Sequence, residues 1–124
     1  MAKRILIIDD EELIIRSLKK LLEKNGFETF IAKNGQDALI MVEEEKIDLI
    51  IADIRMPGMN GADTIQAIYE NLEDNNLKKI PTIFITGYAD EEIKQRALAL
   101  KPIAYIYKPF NIQELVDKVK SVLK

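Results

Sequence analysis

Apolar positions in this chain fall into two kinds of run. Residues 5–8, 49–52, 82–85 and 104–107 are apolar nearly throughout, and a strand-length run without polar alternation marks a strand covered on both faces, as in a parallel sheet. A fifth run, residues 29–32, is weaker and is expected at a sheet edge. Between these runs apolar residues recur at helical spacing. A first helix from about Glu12 carries Ile14, Leu18 and Leu21 on one face and closes at Asn25-Gly26, where glycine supplies a left-handed residue. A second follows Asn34-Gly35 and buries Ala38, Leu39 and Val42. A third from about Ala62 uses Ile65, Ile68 and Leu72, and the polar stretch 73–79 ends it before Pro81. Asp90 can cap a fourth, with Ile93, Ala97 and Leu100 inward; Asn111, with Glu114 three residues on, resembles a capping box opening a fifth on Leu115, Val119 and Val122. Five strand–helix units in succession, without internal repeat or linker, predict one α/β domain over residues 1–124. Its architecture is a doubly wound three-layer α/β/α sandwich on a five-stranded parallel sheet of order 2-1-3-4-5.

Composition narrows the chemistry. The 124 residues are 48% hydrophobic, enough for one continuous core, and the formal charge of -3 is spread in both signs, which argues against nucleic acid or a membrane surface as main partner. Cysteine and histidine are both absent. That removes thiolate chemistry, the usual general base and the usual zinc ligands, leaving carboxylates, hydroxyls and lysine. The start, Met-Ala-Lys-Arg and a short apolar run ending in four acids, is no signal peptide, and no segment reaches membrane-span length. A cytoplasmic domain is expected.

In open parallel sheets, sites form outside the carboxyl ends of the strands, near the point where strand order reverses. Asp9 and Asp10 follow the first strand, Asp53 the third, Thr86 the fourth and Lys108 the fifth. The first and third strands are neighbours in the expected order, so the carboxylates converge. Converging carboxylates repel, and in a chain without histidine or cysteine their best neutraliser is a hard divalent cation held through oxygen, with Mg²⁺ the best match. Lys108 suits a phosphoryl oxygen and Thr86 adds a hydroxyl donor. Together these groups describe a phosphoryl-transfer site with Asp53 as nucleophile and the donor on another molecule. Taken singly, each residue has a plainer account: acids at a helix N-terminus, a threonine cap, a turn aspartate before Pro57, a solvated lysine. The coincidence at four strand ends is what favours a site. Pro57, Gly58 and Gly61 read as backbone devices shaping the loop after Asp53.

Four motifs, "LIIDDEE" (6–12), "DLIIADIRMPGMNG" (48–61), "TIFITGYAD" (82–90) and "YIYKPF" (105–110), stand in an order and spacing that resemble the receiver domain of bacterial two-component response regulators, the CheY-like version of the flavodoxin-like fold. The resemblance covers essentially the whole chain. It implies that Asp53 accepts a phosphoryl group from a sensor histidine kinase, a phosphotransfer protein or a small donor such as acetyl phosphate. It implies that Asp10, Asp53 and the main-chain carbonyl of Arg55 ligate Mg²⁺ (or Mn²⁺) directly, with Asp9 acting through water. Lys108 would meet the phosphoryl oxygens, and Lys108-Pro109 would be cis. Thr86 and Tyr105 match the switch pair, whose movement would change how the face of helix 4, strand 5 and helix 5 binds a downstream protein, as a monomer or a phosphorylation-dependent dimer. Such a chain modifies and dephosphorylates itself but is not a turnover enzyme. Arg55, with Tyr88 across from it, departs from the common pattern, and a bulky pair there is expected to slow hydrolysis; the long polar connection 71–81 and Lys101-Pro102 also depart from it. Nothing after Lys124 could bind DNA, so a free-standing receiver or a piece of a longer regulator is expected. The alternatives are a receiver-like binding module that is never phosphorylated, an aspartyl-phosphate phosphatase, which would want an acid where Arg55 stands, and a flavodoxin-like redox carrier, which would want a phosphate-cradling loop where "DDEEL" stands.

Overall fold

A computed structural model of the chain describes residues 2–56, 58–87 and 90–123. Strands and helices alternate as β1 (Arg4–Ile8), α1 (Glu12–Lys24), β2 (Glu28–Ala32), α2 (Gly35–Glu44), β3 (Leu49–Asp53), α3 (Gly61–Asp74), β4 (Thr82–Thr86), α4 (Glu91–Ala99), β5 (Ala104–Tyr107) and α5 (Ile112–Val122). Local chemistry explains most boundaries. Asn34, Asn60, Asp90 and Asn111 each accept a hydrogen bond from the main-chain N–H three residues on, capping α2, α3, α4 and α5. Gly26, at φ 90°, turns the chain out of α1. Helix α3 closes without glycine: Asn76 takes the left-handed conformation at φ 57°, and the Leu77 N–H donates to the Leu72 carbonyl at 2.8 Å. Asparagine tolerates this conformation better than most residues.

All five strands are parallel, in the order β2-β1-β3-β4-β5. Successive residues of a strand point to opposite faces, and here both sets are apolar. Leu6, Ile8, Ile50, Ala52 and Phe84 meet Ala38, Ile65, Ile68 and Ala97 from α2, α3 and α4. Ile5, Ile7, Leu49, Ile51, Ile83 and Ile85 meet Ile15, Leu18, Leu22, Leu115, Val116 and Val119 from α1 and α5. Burying each such isoleucine or leucine stabilises the fold by roughly 1.5–3 kcal/mol relative to exposure, so the sandwich is held from both sides.

Three local expectations change. Of the residues expected inside from α2 only Ala38 is buried, while Leu39 and Val42 are half-buried against the core. The inward face of α1 is turned by one residue: Ile15, Leu18 and Leu22 are buried, while Ile14 and Leu21 are half-buried at its flanks. Both triplets have helical spacing, and only docking against the sheet chooses between them. Strand β5 is covered on both faces only in part, with Tyr105 packed against the core on one side of the sheet and Ala104 and Ile106 against the core on the other. It is the second edge strand, at the margin of both helix layers, and Tyr107 remains 48% exposed. Among the described residues no helix is long and apolar enough to cross a membrane.

Candidate phosphoryl-transfer site

Strands β1 and β3 run side by side with Ile8 opposite Ala52, so the next residue of each, Asp9 and Asp53, leaves the sheet at the same level. The Asp9 N–H still donates to the Ala32 carbonyl at 3.1 Å, which holds this residue in line with its strand. Its Oδ1 accepts from the Glu11 N–H at 2.9 Å, satisfying a donor at the entry to α1. Beyond Asp53 the chain must return closely onto its own strand end. The Gly61 N–H donates to the Ile54 carbonyl at 2.8 Å, and a Cβ on Gly61 would lie 2.1 Å from the Asp53 carbonyl oxygen. Only glycine admits this approach.

Three carboxylates gather there. One carboxylate oxygen from each of Asp9, Asp10 and Asp53 lies within 4.8 Å of the others. Asp9 is wholly buried, Asp53 is 3% exposed, and Asp10 faces solvent. Lys108 reaches into the cluster from the end of β5, with its Nζ 3.2 Å from Asp53 Oδ2 and 3.6 Å from Asp9 Oδ2. Even so, Asp9 Oδ2 and Asp53 Oδ1 are buried without a hydrogen-bond partner, a costly state for acceptors unless something else meets them. The titration behaviour reflects this. Burial above all pushes the Asp9 carboxyl up to about 6, with the Asp53 charge adding to it against the Glu11 N–H and Lys108. Burial likewise raises Asp53, against the pull of Lys108 and the Arg55 main-chain N–H. For Lys108, burial is the largest influence and lowers its pKa, but Glu11, Asp9 and Asp53 together outweigh it and the net direction is up. An oxygen-only donor set with two orphaned buried oxygens and excess negative charge fits Mg²⁺ and suits no thiophilic metal.

The site opens into a cleft of about 460 Å³ lined by Asp10, Glu11, Asp53, Arg55, Met56 and Lys108. Arg55 is exposed on its wall. Tyr88, expected across from Arg55, lies outside the described residues. Thr86 is buried at the end of β4, its carbonyl accepting from the Lys108 N–H at 2.8 Å. Lys108-Pro109 is cis. Tyr105 stands apart from the carboxylates, half-buried on β5, its ring 6.3 Å from Phe84 and 5.5 Å from Tyr107 between centroids. Lys94 lies over both tyrosine rings, 5.8 and 5.2 Å from their centroids. Glu11, which the motif reading assigned no role beyond helix-end charge, is the nearest partner of Lys108, at 2.6 Å. Its signal was the third acid of "DDEE", but a contact between residues 97 apart in sequence is visible only once β5 is placed.

A family description, response regulator receiver domain, matches residues 5–120. The transcriptional regulatory protein CpxR of Escherichia coli is 34% identical over 121 residues, covering 98% of this chain and 49% of CpxR. The chain thus spans about half the length of the curated transcriptional regulators it matches. Sporulation initiation phosphotransferase F of Bacillus subtilis is 34% identical over 123 residues, covering 99% of this chain and 95% of that protein. Among solved structures, the receiver domain protein (CheY-like) from Methanospirillum hungatei JF-1 superposes with a TM-score of 0.87 at 34% identity, covering 98% of this chain and 93% of that one.

Proposed function

The chain belongs to the response regulator receiver family of two-component signalling, and on that premise we propose that Asp53 is the residue it phosphorylates. A carboxylate oxygen of Asp53 attacks the phosphorus of a phosphodonor. The new P–O bond forms as the bond to the leaving group breaks, and the leaving group departs with that electron pair. For acetyl phosphate the products are the Asp53 acyl phosphate and acetate, with no proton needed. Lys108, already within 3.2 Å of Asp53, meets the phosphoryl oxygens. Asp9, Asp10 and Asp53, with the Arg55 carbonyl as a further ligand, would hold Mg²⁺ (or Mn²⁺). When bound, the ion neutralises the facing carboxylates and the charge carried by the phosphoryl group. Thr86 then offers its hydroxyl to the phosphoryl group, and Tyr105 turns inward in response, altering the face of α4, β5 and α5.

The observation that carries this reading is the buried pair Asp9 and Asp53 beside Lys108, each with one carboxylate oxygen that accepts no hydrogen bond. Buried acceptors of this kind call for a partner, and a cation and an incoming phosphoryl group would supply one. In this role the chain draws on a sensor histidine kinase or phosphotransfer protein in the cytoplasm and acts on a downstream protein. It catalyses its own modification and its own hydrolysis, and it is not a turnover enzyme. Incubation with acetyl phosphate tests the proposal: intact-mass spectrometry should find one added phosphoryl group that needs Mg²⁺ and disappears in Asp53→Asn. An adduct that persists in that variant would overturn it.

A further inference from the structure

Lys108 is contested. Its Nζ lies 3.2 Å from Asp53 Oδ2 and 3.6 Å from Asp9 Oδ2, yet its shortest contact, 2.6 Å, is to Glu11 Oε1. Asp9 and Asp53 are held by the sheet and the core. Glu11 is not. It occupies the N-cap of α1 without making a capping bond, and its side chain is 55% exposed at the mouth of the cleft. Its carboxylate therefore has no structural need of its present position, and the ammonium is what it has found there. An incoming phosphoryl group brings further oxygens to the same ammonium, and Glu11, the exposed claimant, is the one free to withdraw.

Building on the Asp53 reading, we propose that Glu11 is a positioning residue of the phosphorylation site, holding Lys108 toward the mouth of the cleft until phosphoryl oxygens displace it. The transfer itself is unchanged: an Asp53 oxygen bonds to phosphorus while the donor's acyl–oxygen–phosphorus link opens at P–O and acetate leaves with the electron pair. What Glu11 sets is the cost of bringing Lys108 to bear. The pair is solvent-exposed at its Glu11 end and therefore weak, so releasing Lys108 should speed phosphorylation by about two- to fivefold rather than by orders of magnitude. Removing Glu11 also removes a negative charge that repels an anionic donor, so the test must separate the two effects.

The experiment follows initial rates of adduct formation by intact mass on the full chain, with acetyl phosphate and saturating Mg²⁺. Glu11→Gln should raise the rate about two- to fivefold. Glu12→Gln removes an equal charge one residue away, on a side chain paired with Lys33, and should leave the rate unchanged. In a Lys108→Ala background, Glu11→Gln should give no gain, since coupling between the two sites is what a double-mutant cycle reads. An unchanged or slower rate in Glu11→Gln would overturn the assignment, as would an equal gain without Lys108, which would reduce Glu11 to simple repulsion. No adduct on the wild-type chain would remove the Asp53 reading and Glu11's role with it. An adduct with an unaltered Glu11→Gln rate would remove only the latter.

Discussion

Replacing Asp9 by asparagine should stabilise the metal-free protein, although it removes a wholly buried and hydrogen-bonded side chain. The folded-state carboxyl titrates at about 6 instead of 3.8, chiefly because burial penalises its charge. The native state therefore holds this proton more tightly than the unfolded chain, and between those two values stability falls as pH rises. Above about pH 6 the full cost is present, on the order of 3 kcal/mol at 1.36 kcal/mol per pKa unit. Asparagine keeps an oxygen for the Glu11 N–H and puts a neutral amide NH2 where a charged oxygen without a hydrogen-bond donor stood. It loses an attraction to Lys108 at 3.6 Å, so the net gain at pH 7.5 should be about 1–3 kcal/mol. Urea unfolding in the presence of EDTA measures it, at pH 4 and pH 7.5 for both proteins. Glu12 and Glu23, whose pKa values are lowered by Lys33 and Lys19, change stability in the opposite sense but cancel in the difference between wild type and variant. That difference should be near zero at pH 4, grow toward pH 7.5, and shrink when Mg²⁺ is added, because the ion stabilises the wild-type cluster by binding it. A variant no more stable than wild type at pH 7.5, or a difference flat across pH, would refute the argument.

Gly61→Ala should cost roughly 1–3 kcal/mol in urea unfolding, because its Cβ would lie 2.1 Å from the Asp53 carbonyl oxygen and one of the two segments must move. The same variant should phosphorylate more slowly, since the displaced backbone carries the nucleophile. Arg55→Ala, on the wall of the cleft, should shorten the life of the phosphorylated chain, read as faster loss of the adduct after donor removal. An unchanged or slower loss would show that this side chain does not shield the acyl phosphate.

Much of this fold could be read from the chain because each layer repeats the same demand. Runs such as 49–52 have no polar residue to offer solvent, and helices announce themselves by Asn34, Asp90 and Asn111 at their starts. What could not be read is what only docking decides. Ile14, Ile15, Leu18, Leu21 and Leu22 support two adjacent faces of α1, and the sheet selects one. Tyr107 is as apolar in pattern as the residues of β4, but its strand has a neighbour on one side alone. The same division runs through the site. That Asp9, Asp10, Asp53 and Lys108 share one end of the sheet follows from strand order. That Asp9 is buried and Asp10 exposed, although adjacent, follows from the pleat and the turn into α1. That Lys108 lies nearer Glu11 than Asp53 depends on where a long side chain ends, which no local pattern encodes.

Borohydride trapping shows which carboxylate carries the phosphoryl group. Reduction of the acyl phosphate converts the modified aspartate to homoserine, which peptide mass spectrometry locates. After treatment with acetyl phosphate and Mg²⁺, homoserine should appear at position 53 and nowhere else. Homoserine at Asp9 or Asp10, or an adduct on the intact chain that yields none, would contradict the account.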